Sequence, residues 1–447
     1  MVRRKWLDFG LGILILMFVI IGVLGIWRAP SIPTDQPVMG KQDIPILQIN
    51  LANTSLEEIH AGDKAVKYPG NGLVLSDGLV TQEFENVEIK GRGNSTWGMD
   101  KRPYQIKFDH KVDLLGMGRA KKWVLLANFW DVSQLRNDVA LKLAEMLDME
   151  YTTRGRYVEL EIDGDYRGLY YLMHKVDIGK GSVDLRDPLG VLVELDNLHQ
   201  ENCYWSEKGA CLTLKDAVNE DMQEVGMNAF VEDFSLLEAA AEVGDYATVE
   251  SVIDVESWAK YFLLSEFTVN PDAYATSWFL YKDGEEDKIH AGPAWDYDFA
   301  LGNRDWVWNT TENFYSPELN MVRELDAMGG EYVLDGEVFE KEPDGNMVKV
   351  MYYLMKMPEF RAEVERIFNE KMSGRGNELL GHLEQQAERV YEGYLDDYEK
   401  WGRGEYTDEV EYLTDWVGRR YRHFEMEYGG AENVYDFELY DIIEREV

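Results

Sequence analysis

The hydrophobic pattern of the chain changes near residue 221, and this change constrains the fold more than any other feature. Before it, short runs rich in β-branched and aromatic residues alternate with Gly, Asp and Asn, which is typical of strands and turns. After it, apolar residues recur at three- and four-residue spacing, which indicates helices. The sequence therefore predicts an α+β fold with a β-rich N-terminal lobe, residues 45–220, and a mostly helical C-terminal lobe, residues 221–447.

The same patterns predict individual elements. Strands are expected over Ile46–Asn50, Val87–Lys90, Tyr104–Phe108, Trp123–Ala127, Tyr157–Ile162, Gly168–Met173 and Val191–Leu195, with one helix near Val132–Leu147. Helices follow over Phe230–Glu242, Val255–Phe267, Asn346–Met355, Glu359–Met372, Asn377–Trp401 and Glu409–Tyr428, with a strand pair at Ser277–Lys282 and Lys288–Ala291. A cleft between two such lobes is the default place for a ligand.

The N-terminal segment predicts a membrane anchor. Residues 9–27, from Phe9 to Trp27, are uncharged and almost entirely apolar, and about 20 helical residues cross a bilayer core. Basic residues at positions 3–5 keep residues 1–8 cytoplasmic by the positive-inside rule, so the C-terminal bulk of the chain is expected outside. Residues 28–44 contain three prolines and predict a stalk. A cleaved signal peptide is the alternative, although the apolar stretch is long for one.

Charge and cysteine content limit the partners and the compartment. The formal net charge is −39, which disfavours nucleic acid and suits either a basic protein partner or a solvated acidic surface. The two cysteines, Cys203 and Cys211, fit a loop disulfide in an oxidising compartment or two free thiols. Two cysteines alone do not form a zinc site.

Three aspartates of the C-terminal lobe are candidates for chemistry. Asp296 and Asp298 follow the strand pair, and positions i and i+2 of an extended segment share a face. They are therefore candidates to hold Mg²⁺, which takes one or two carboxylates with waters and phosphates. Asp272, after a predicted helix, is a candidate to orient or deprotonate an acceptor hydroxyl. Taken alone, ordinary polar turns explain these segments better.

Four residues of the N-terminal lobe are candidates for cofactor binding. Arg92 lies between two glycines and is a strong phosphate donor. Lys107 alternates with a polar residue on a predicted strand and is a candidate phosphate clamp. Trp130 is a candidate to stack on a nucleobase, and Arg136 is placed to pair with an aspartate five residues earlier. Neither a Walker loop nor the common kinase glycine loop is present, and a surface hairpin with core packing is the alternative.

Taken together and in this order, seven segments resemble the spore-coat protein H (CotH) kinase family. The resemblance covers roughly residues 85–430. The segments are Arg92-Gly93-Asn94-Ser95-Thr96-Trp97, Lys101–Phe108, Lys122–Asn128, Leu135-Arg136-Asn137, Gly168–Leu172, Leu192–Asp196 and Gly292–Asp298.

The resemblance implies an atypical protein-kinase-like fold that uses ATP and Mg²⁺ to phosphorylate Ser or Thr of secreted or coat proteins. Asp272 then matches the family's catalytic aspartate and Asp296 its metal-binding aspartate, with Asp298 as a helper. Arg92 and Lys107 fall where phosphate contacts are expected. The chain departs from the family at Met173-His174-Lys175, where an acidic residue is usual, and this puts efficient catalysis in question unless Glu194 or Glu159 replaces that charge.

Three functions follow from these observations. The first is a membrane-anchored Ser/Thr kinase acting on a basic protein, and the second is an adhesin or scaffold on the same fold. The third is a glycan-processing enzyme, but carboxylates in Asp-x-Asp lie too near each other for the ~5–9.5 Å glycosidase pair without another partner. The retained aspartates, with Arg92 and Lys107, favour the kinase.

Overall fold

The structure, a computed structural model, describes residues 44–77, 80–153, 155–303, 330–334, 337–341 and 349–429. The membrane segment predicted over Phe9–Trp27 lies outside these residues. Across the described ranges, no helix combines the length and the hydropathy needed to cross a bilayer. Strands fill the N-terminal part and helices dominate the C-terminal part, so the predicted α+β composition is confirmed.

The N-terminal part is built around an eight-stranded sheet that closes on itself. The order across the sheet is β1-β7-β8-β6-β5-β4-β2-β3, and β1 also pairs with β2. β1 and β7 run parallel, and the other neighbours are antiparallel. The strands are β1 (Ile46–Leu51), β2 (Tyr68–Ser76), β3 (Thr81–Phe84), β4 (Val87–Gly91), β5 (Tyr104–Asp113), β6 (Arg119–Leu126), β7 (Gly155–Ile162) and β8 (Asp165–His174).

A second sheet has the order β10-β11-β9-β12-β13. Its strands are β9 (Val191–Leu195), β10 (Cys203–Trp205), β11 (Cys211–Ala217), β12 (Trp278–Lys282) and β13 (His290–Ala291). β9 pairs with β12, so this sheet takes strands from both sides of residue 220. Cys203 and Cys211 form a disulfide that joins β10 to β11, which decides between the two alternatives for the cysteines. A separate hairpin joins β14 (Gly330–Leu334) and β15 (Glu337–Lys341).

The helices follow the predicted positions closely. In chain order they are α1 (Leu56–Ala61), α2 (Arg136–Met146), α3 (Gln223–Val243), α4 (Tyr246–Val252), α5 (Val255–Thr268), α6 (Val350–Lys356), α7 (Pro358–Lys371), α8 (Gly376–Trp401) and α9 (Tyr406–Tyr428). Asp254 caps the N-terminus of α5, where its side chain accepts from the Ser257 backbone N–H, and Val269 caps the C-terminus in the left-handed conformation. Of these helices, α1 and α4 were not predicted.

The two hydrophobic cores share the closed sheet as a wall. Along β6, Trp123 and Leu125 point into the interior of the closed sheet, whereas Val124 and Leu126 point outward. The outward residues pack with the second sheet and the helices in a larger core. This alternation is the period-two geometry of a strand buried on both faces. The outer face of β5 and β6 is therefore available to line a site between the two sheets.

Candidate active site

A cavity of about 680 Å³ lies between the closed sheet and the second sheet. One wall consists of residues 92–96, which follow β4, with Gln105 on β5 and Val124 on β6. The other wall consists of residues from β9 and β11, from the segment after α5, and from residues 295–299. Its volume is typical of a site for a small-molecule ligand or cofactor.

Asp272, Asp296 and Asp298 all line this cavity. Asn270, just after α5, joins the first two: its Oδ1 accepts from the Asp272 backbone N–H at 3.2 Å, and its Nδ2 lies 3.4 Å from the Asp296 carbonyl oxygen. The Ser277 hydroxyl lies 3.4 Å from Asp296 Oδ2. The end of α5 and the segment after β13 are thereby held together, which brings aspartates 24 residues apart in sequence to one place.

The backbone around Asp296 is held by side chains from elsewhere in the fold. Asp296 has a φ of 67°, so this segment is not extended as the sequence argument assumed, yet both carboxylates line the cavity. Asn137 on α2 accepts from the Tyr297 backbone N–H at 2.8 Å. Asn303 donates to the Asp298 carbonyl oxygen at 2.6 Å. A non-glycine residue in this conformation is costly and persists where its surroundings enforce it, often at functional sites.

The three central aspartates have raised pKa values. Burial raises the pKa of Asp272 from 3.8 to about 7, and the nearby Asp296 charge adds to this. Burial also raises the pKa of Asp296, while Arg92 opposes the rise. The pKa of Asp298 is raised well above its usual range by burial and by both other aspartates. The cluster is therefore short of positive charge when all three groups are ionised.

One arginine and two lysines line the same cavity. The Arg92 guanidinium lies 5.0 Å from the centre of the Trp295 ring, within cation–π range, and burial lowers its pKa. Lys215 on β11 forms an ion pair with Glu194 on β9. Lys175, just after β8, donates to the Val176 carbonyl oxygen at 3.2 Å, and burial lowers its pKa to about 8. The cavity thus combines carboxylates with desolvated cations, which suits a phosphate-bearing ligand.

The family model of the CotH kinase protein matches residues 89–424. The chain belongs to this family. The matched residues include both walls of the cavity and all three of its central aspartates. No curated protein matches the chain. CotH kinase membership implies an atypical kinase that uses ATP.

The cavity residues of this CotH kinase domain fit a divalent cation and a nucleotide. A cation beside Asp296 and Asp298 would favour the ionised forms that burial disfavours. Among the described residues, no group of three or more His, Cys, Asp or Glu side chains is arranged to hold a metal alone. Mg²⁺ needs no such group, because it completes its coordination with waters and substrate phosphates.

The predicted cofactor residues divide between the cavity and the core. Arg92 and Trp130 line the cavity, and the Trp130 Nε1 atom is buried with no hydrogen-bond partner among the described residues. Lys107 does not line it: its ammonium lies 3.7 Å from the Glu88 carboxylate near the surface. Arg136 does not line it either, because its guanidinium is fully buried between Asp131 and Glu409. The expected pairing of Arg136 with Asp131 is present, but as part of the core.

The departure from the family pattern at His174 lies away from the cavity. The His174 ring packs edge-on against Trp123, with 4.3 Å between ring centres, at the interior of the closed sheet. Its Nδ1 lies 3.1 Å from the Gly181 carbonyl oxygen. Glu194, one of the two residues expected to replace the missing acidic group, lines the cavity and forms an ion pair with Lys215. Lys175 and Lys215 also line the cavity and were not predicted as site residues. The only sequence signal for the two lysines was polar character: Lys175 directly follows β8, and Lys215 lies between Leu214 and Asp216 on β11.

Proposed function

We propose that the protein is an ATP- and Mg²⁺-dependent kinase that phosphorylates Ser or Thr of secreted or coat proteins. The observation that carries this proposal is the meeting of Asp272, Asp296 and Asp298 with Arg92 in one cavity of a CotH kinase domain. Phosphoryl transfer needs positioning and charge neutralisation more than covalent chemistry from the protein. This set of side chains supplies both.

Each side chain has a distinct role in this proposal. Asp272 accepts the hydrogen bond of the acceptor hydroxyl and takes its proton, a role that suits a carboxylate with a pKa of about 7. Arg92 and Lys215 neutralise phosphate charge, and the burial of Arg92 strengthens its interaction with a phosphate. Asp296 and Asp298 would hold Mg²⁺, which when bound neutralises further phosphate charge. Val124 and Phe279 offer apolar surface for the nucleobase.

We also propose that the acceptor protein is basic. The net charge of −39 attracts positively charged chains, and Glu201 adds a further acidic side chain to the cavity lining. A preference for Ser within Lys- or Arg-rich sequence is expected. It should fade as salt rises through ~0.5 M, because salt screens attraction between exposed charges.

We further propose that Phe9–Trp27 anchors the protein in the cell membrane, with the kinase domain outside the cytoplasm. The apolar segment and its basic flank support this placement, and so does the Cys203–Cys211 disulfide, because disulfides persist in oxidising compartments. Protease added to intact cells should release residues beyond 45. Full protection of the domain, with an envelope that admits the protease, would reject the placement.

The kinase proposal is tested by substituting Asp272. Asp272→Ala should spare Mg²⁺-nucleotide binding but lower transfer from radiolabelled ATP to basic Ser-rich peptides by ~10²-fold or more, as expected for loss of a general base. Asp415→Ala is the control, because Asp415 is two-thirds exposed on α9 and should transfer normally. Equal labelling by Asp272→Ala and wild type would remove Asp272 from the mechanism. Nucleotide binding without any labelling by wild type would favour the scaffold function.

A second substitution tests the metal site. Asp296→Asn keeps the shape of the side chain, and Asn tolerates the left-handed backbone at this position. It should abolish Mg²⁺-dependent nucleotide binding. Its melting temperature without metal should equal or exceed that of wild type, because a disfavoured buried charge is removed. A variant that unfolds without metal would show instead that Asp296 is a structural turn residue.

A further inference from the structure

A chain of hydrogen bonds crosses the cavity between its two walls. Asn94 follows β4 of the closed sheet, and His199 follows β9 of the second sheet. Asn94 Nδ2 and His199 Nε2 lie 3.0 Å apart, although the residues are 105 positions apart in sequence. Both residues line the cavity. This contact therefore joins two separately built walls at the site itself.

The partners of Asn94 determine the direction of this bond. The Lys64 ammonium lies 2.7 Å from Asn94 Oδ1, and a lysine ammonium can only donate. The amide oxygen of Asn94 is thus occupied as an acceptor, and its NH₂ group faces His199. Because that NH₂ group donates, His199 Nε2 must accept, and the ring proton lies on Nδ1. His199 Nδ1 is 2.9 Å from Asp196 Oδ1, so it donates to that carboxylate.

The chain of bonds continues on both sides to the proposed functional groups. Asp196 Oδ1 also accepts from the Thr276 hydroxyl at 2.7 Å, and Thr276 lies four residues after Asp272. The Thr276 backbone N–H donates to the Asp272 carbonyl oxygen at 3.0 Å. On the other side, Lys64 also donates to the Gly93 carbonyl oxygen at 2.9 Å, next to Arg92. The segment of Arg92 and the segment of Asp272 are thereby connected through one imidazole.

We propose that His199 is a positioning residue whose two ring nitrogens fix the separation between the wall that carries Arg92 and the wall that carries Asp272. The effect of this separation on nucleotide binding rests on the proposed function. The bridge itself, the hydrogen bonds from Asn94 through His199 to Asp196, does not. His199 acts through Asn94 and Asp196 and needs no contact with the ligand. Both of its nitrogens have specific partners, although the side chain is 39% exposed.

Three substitutions of His199 separate its bond to Asn94 from its bond to Asp196. Gln places a carbonyl oxygen near the position of Nε2 and keeps the acceptor for Asn94. Asn places an NH₂ group near the position of Nδ1 and keeps only the donor to Asp196. Ala removes both. His110→Ala is the matched control, because His110 is 66% exposed on β5 and does not line the cavity.

Hydrogen exchange of the protein without nucleotide tests the bridge directly. His199→Ala, His199→Asn and Asn94→Ala should each speed amide exchange in both segments, residues 92–98 and 195–202, whereas His199→Gln and His110→Ala should not. The double variant Asn94→Ala/His199→Asn should exchange no faster than Asn94→Ala alone, because His199→Asn removes only the bond that Asn94→Ala has already removed. Unchanged exchange at residues 92–98 in His199→Ala would overturn the bridge. Equal exchange rates in His199→Asn and His199→Gln would also overturn it.

Binding of a non-hydrolysable ATP analogue, AMP-PNP with Mg²⁺, tests its consequence. His199→Asn should raise the Kd about three- to tenfold, the net effect of one hydrogen bond. His199→Ala, which loses both bonds, should raise it at least as much, and His199→Gln should keep the Kd near that of wild type. An unchanged Kd with faster exchange would overturn the positioning role. If wild type binds no AMP-PNP, the proposed function fails, and exchange alone still decides whether the bridge exists.

Discussion

At the scale of single residues, the burial of ionised Asp272 lowers the stability of the folded protein. Its pKa of about 7 means that, between about pH 4 and pH 7, the folded protein holds a proton that the unfolded chain has released. Stability therefore falls as pH rises through this window. Below the window Asp272 is protonated in both states, and above it Asp272 is ionised in both. Its contribution to the free energy of unfolding therefore does not change with pH outside the window.

Asp272→Asn should remove this pH dependence. The variant has no proton to lose, so its melting temperature, measured in EDTA, should fall less than that of wild type between pH 4 and pH 7. Above pH 7 it should be more stable than wild type, because the charge beside Asp296 is gone. The exposed Asp415→Asn serves as a control and should follow wild type. Parallel curves for Asp272→Asn and wild type would mean that Asp272 titrates normally.

Of the seven residues that the sequence predicted for the site, five line the cavity. Lys107 and Arg136 do not, for different physical reasons. Lys107 shares a strand face with Gln105, which does line the cavity, but two residues along a strand amount to ~6.6 Å. Its side chain therefore extends past the site to Glu88. Arg136 pairs as expected, but burial depends on the packing of α9, which no local pattern reveals.

At the scale of elements, short sequence patterns predicted the positions of many strands and helices, but not which strands pair. β9 has the predicted bounds, Val191–Leu195. β2 was missed because Pro69, Gly70 and Gly72 indicate a turn, although the strand gains its stability from pairing with β1, β3 and β4. The pairing of β9 with β12 spans some 80 residues, and no short pattern encodes it.

Gly168 on β8 provides a test of how an element meets its neighbour. Its φ is 104°, and a Cβ there would lie 2.1 Å from Asp397 Oδ1 on α8. That oxygen accepts from the Leu169 backbone N–H at 2.8 Å and pairs with Lys101 at 2.7 Å. A side chain at this position would therefore strain the backbone and displace a buried carboxylate that has two partners.

Gly168→Ala should lower the free energy of unfolding by roughly 2–5 kcal/mol, the sum of the left-handed backbone cost and overpacking. Gly164→Ala is the matched control: its φ is 77°, but a Cβ there meets nothing within 4 Å. It should lose only the backbone cost, ~1–2 kcal/mol. Urea unfolding measures both. Equal losses would show that contact with Asp397 adds nothing.

At the scale of the whole molecule, buried ion pairs connect the C-terminal helices to the rest of the fold. Arg136 at the start of α2 contacts Asp131 before the helix and Glu409 on α9, and its Nε donates to the Ala300 carbonyl oxygen at 3.1 Å. Ala300 lies two residues after Asp298. One guanidinium thus links α9 to the segment that carries the proposed metal ligands, across more than 270 positions of sequence.

Glu409→Ala should therefore affect both stability and the site. It leaves the fully buried Arg136 with one carboxylate fewer, and removal of one partner from a buried pair typically costs about 3–5 kcal/mol. Glu411→Ala, on the exposed face of the same helix, should cost less than ~0.5 kcal/mol. Urea unfolding gives both values, and AMP-PNP binding below the transition shows whether the segment after Asp298 is still held. Equal unfolding midpoints for the two variants would mean that α9 is not held to the core through Arg136.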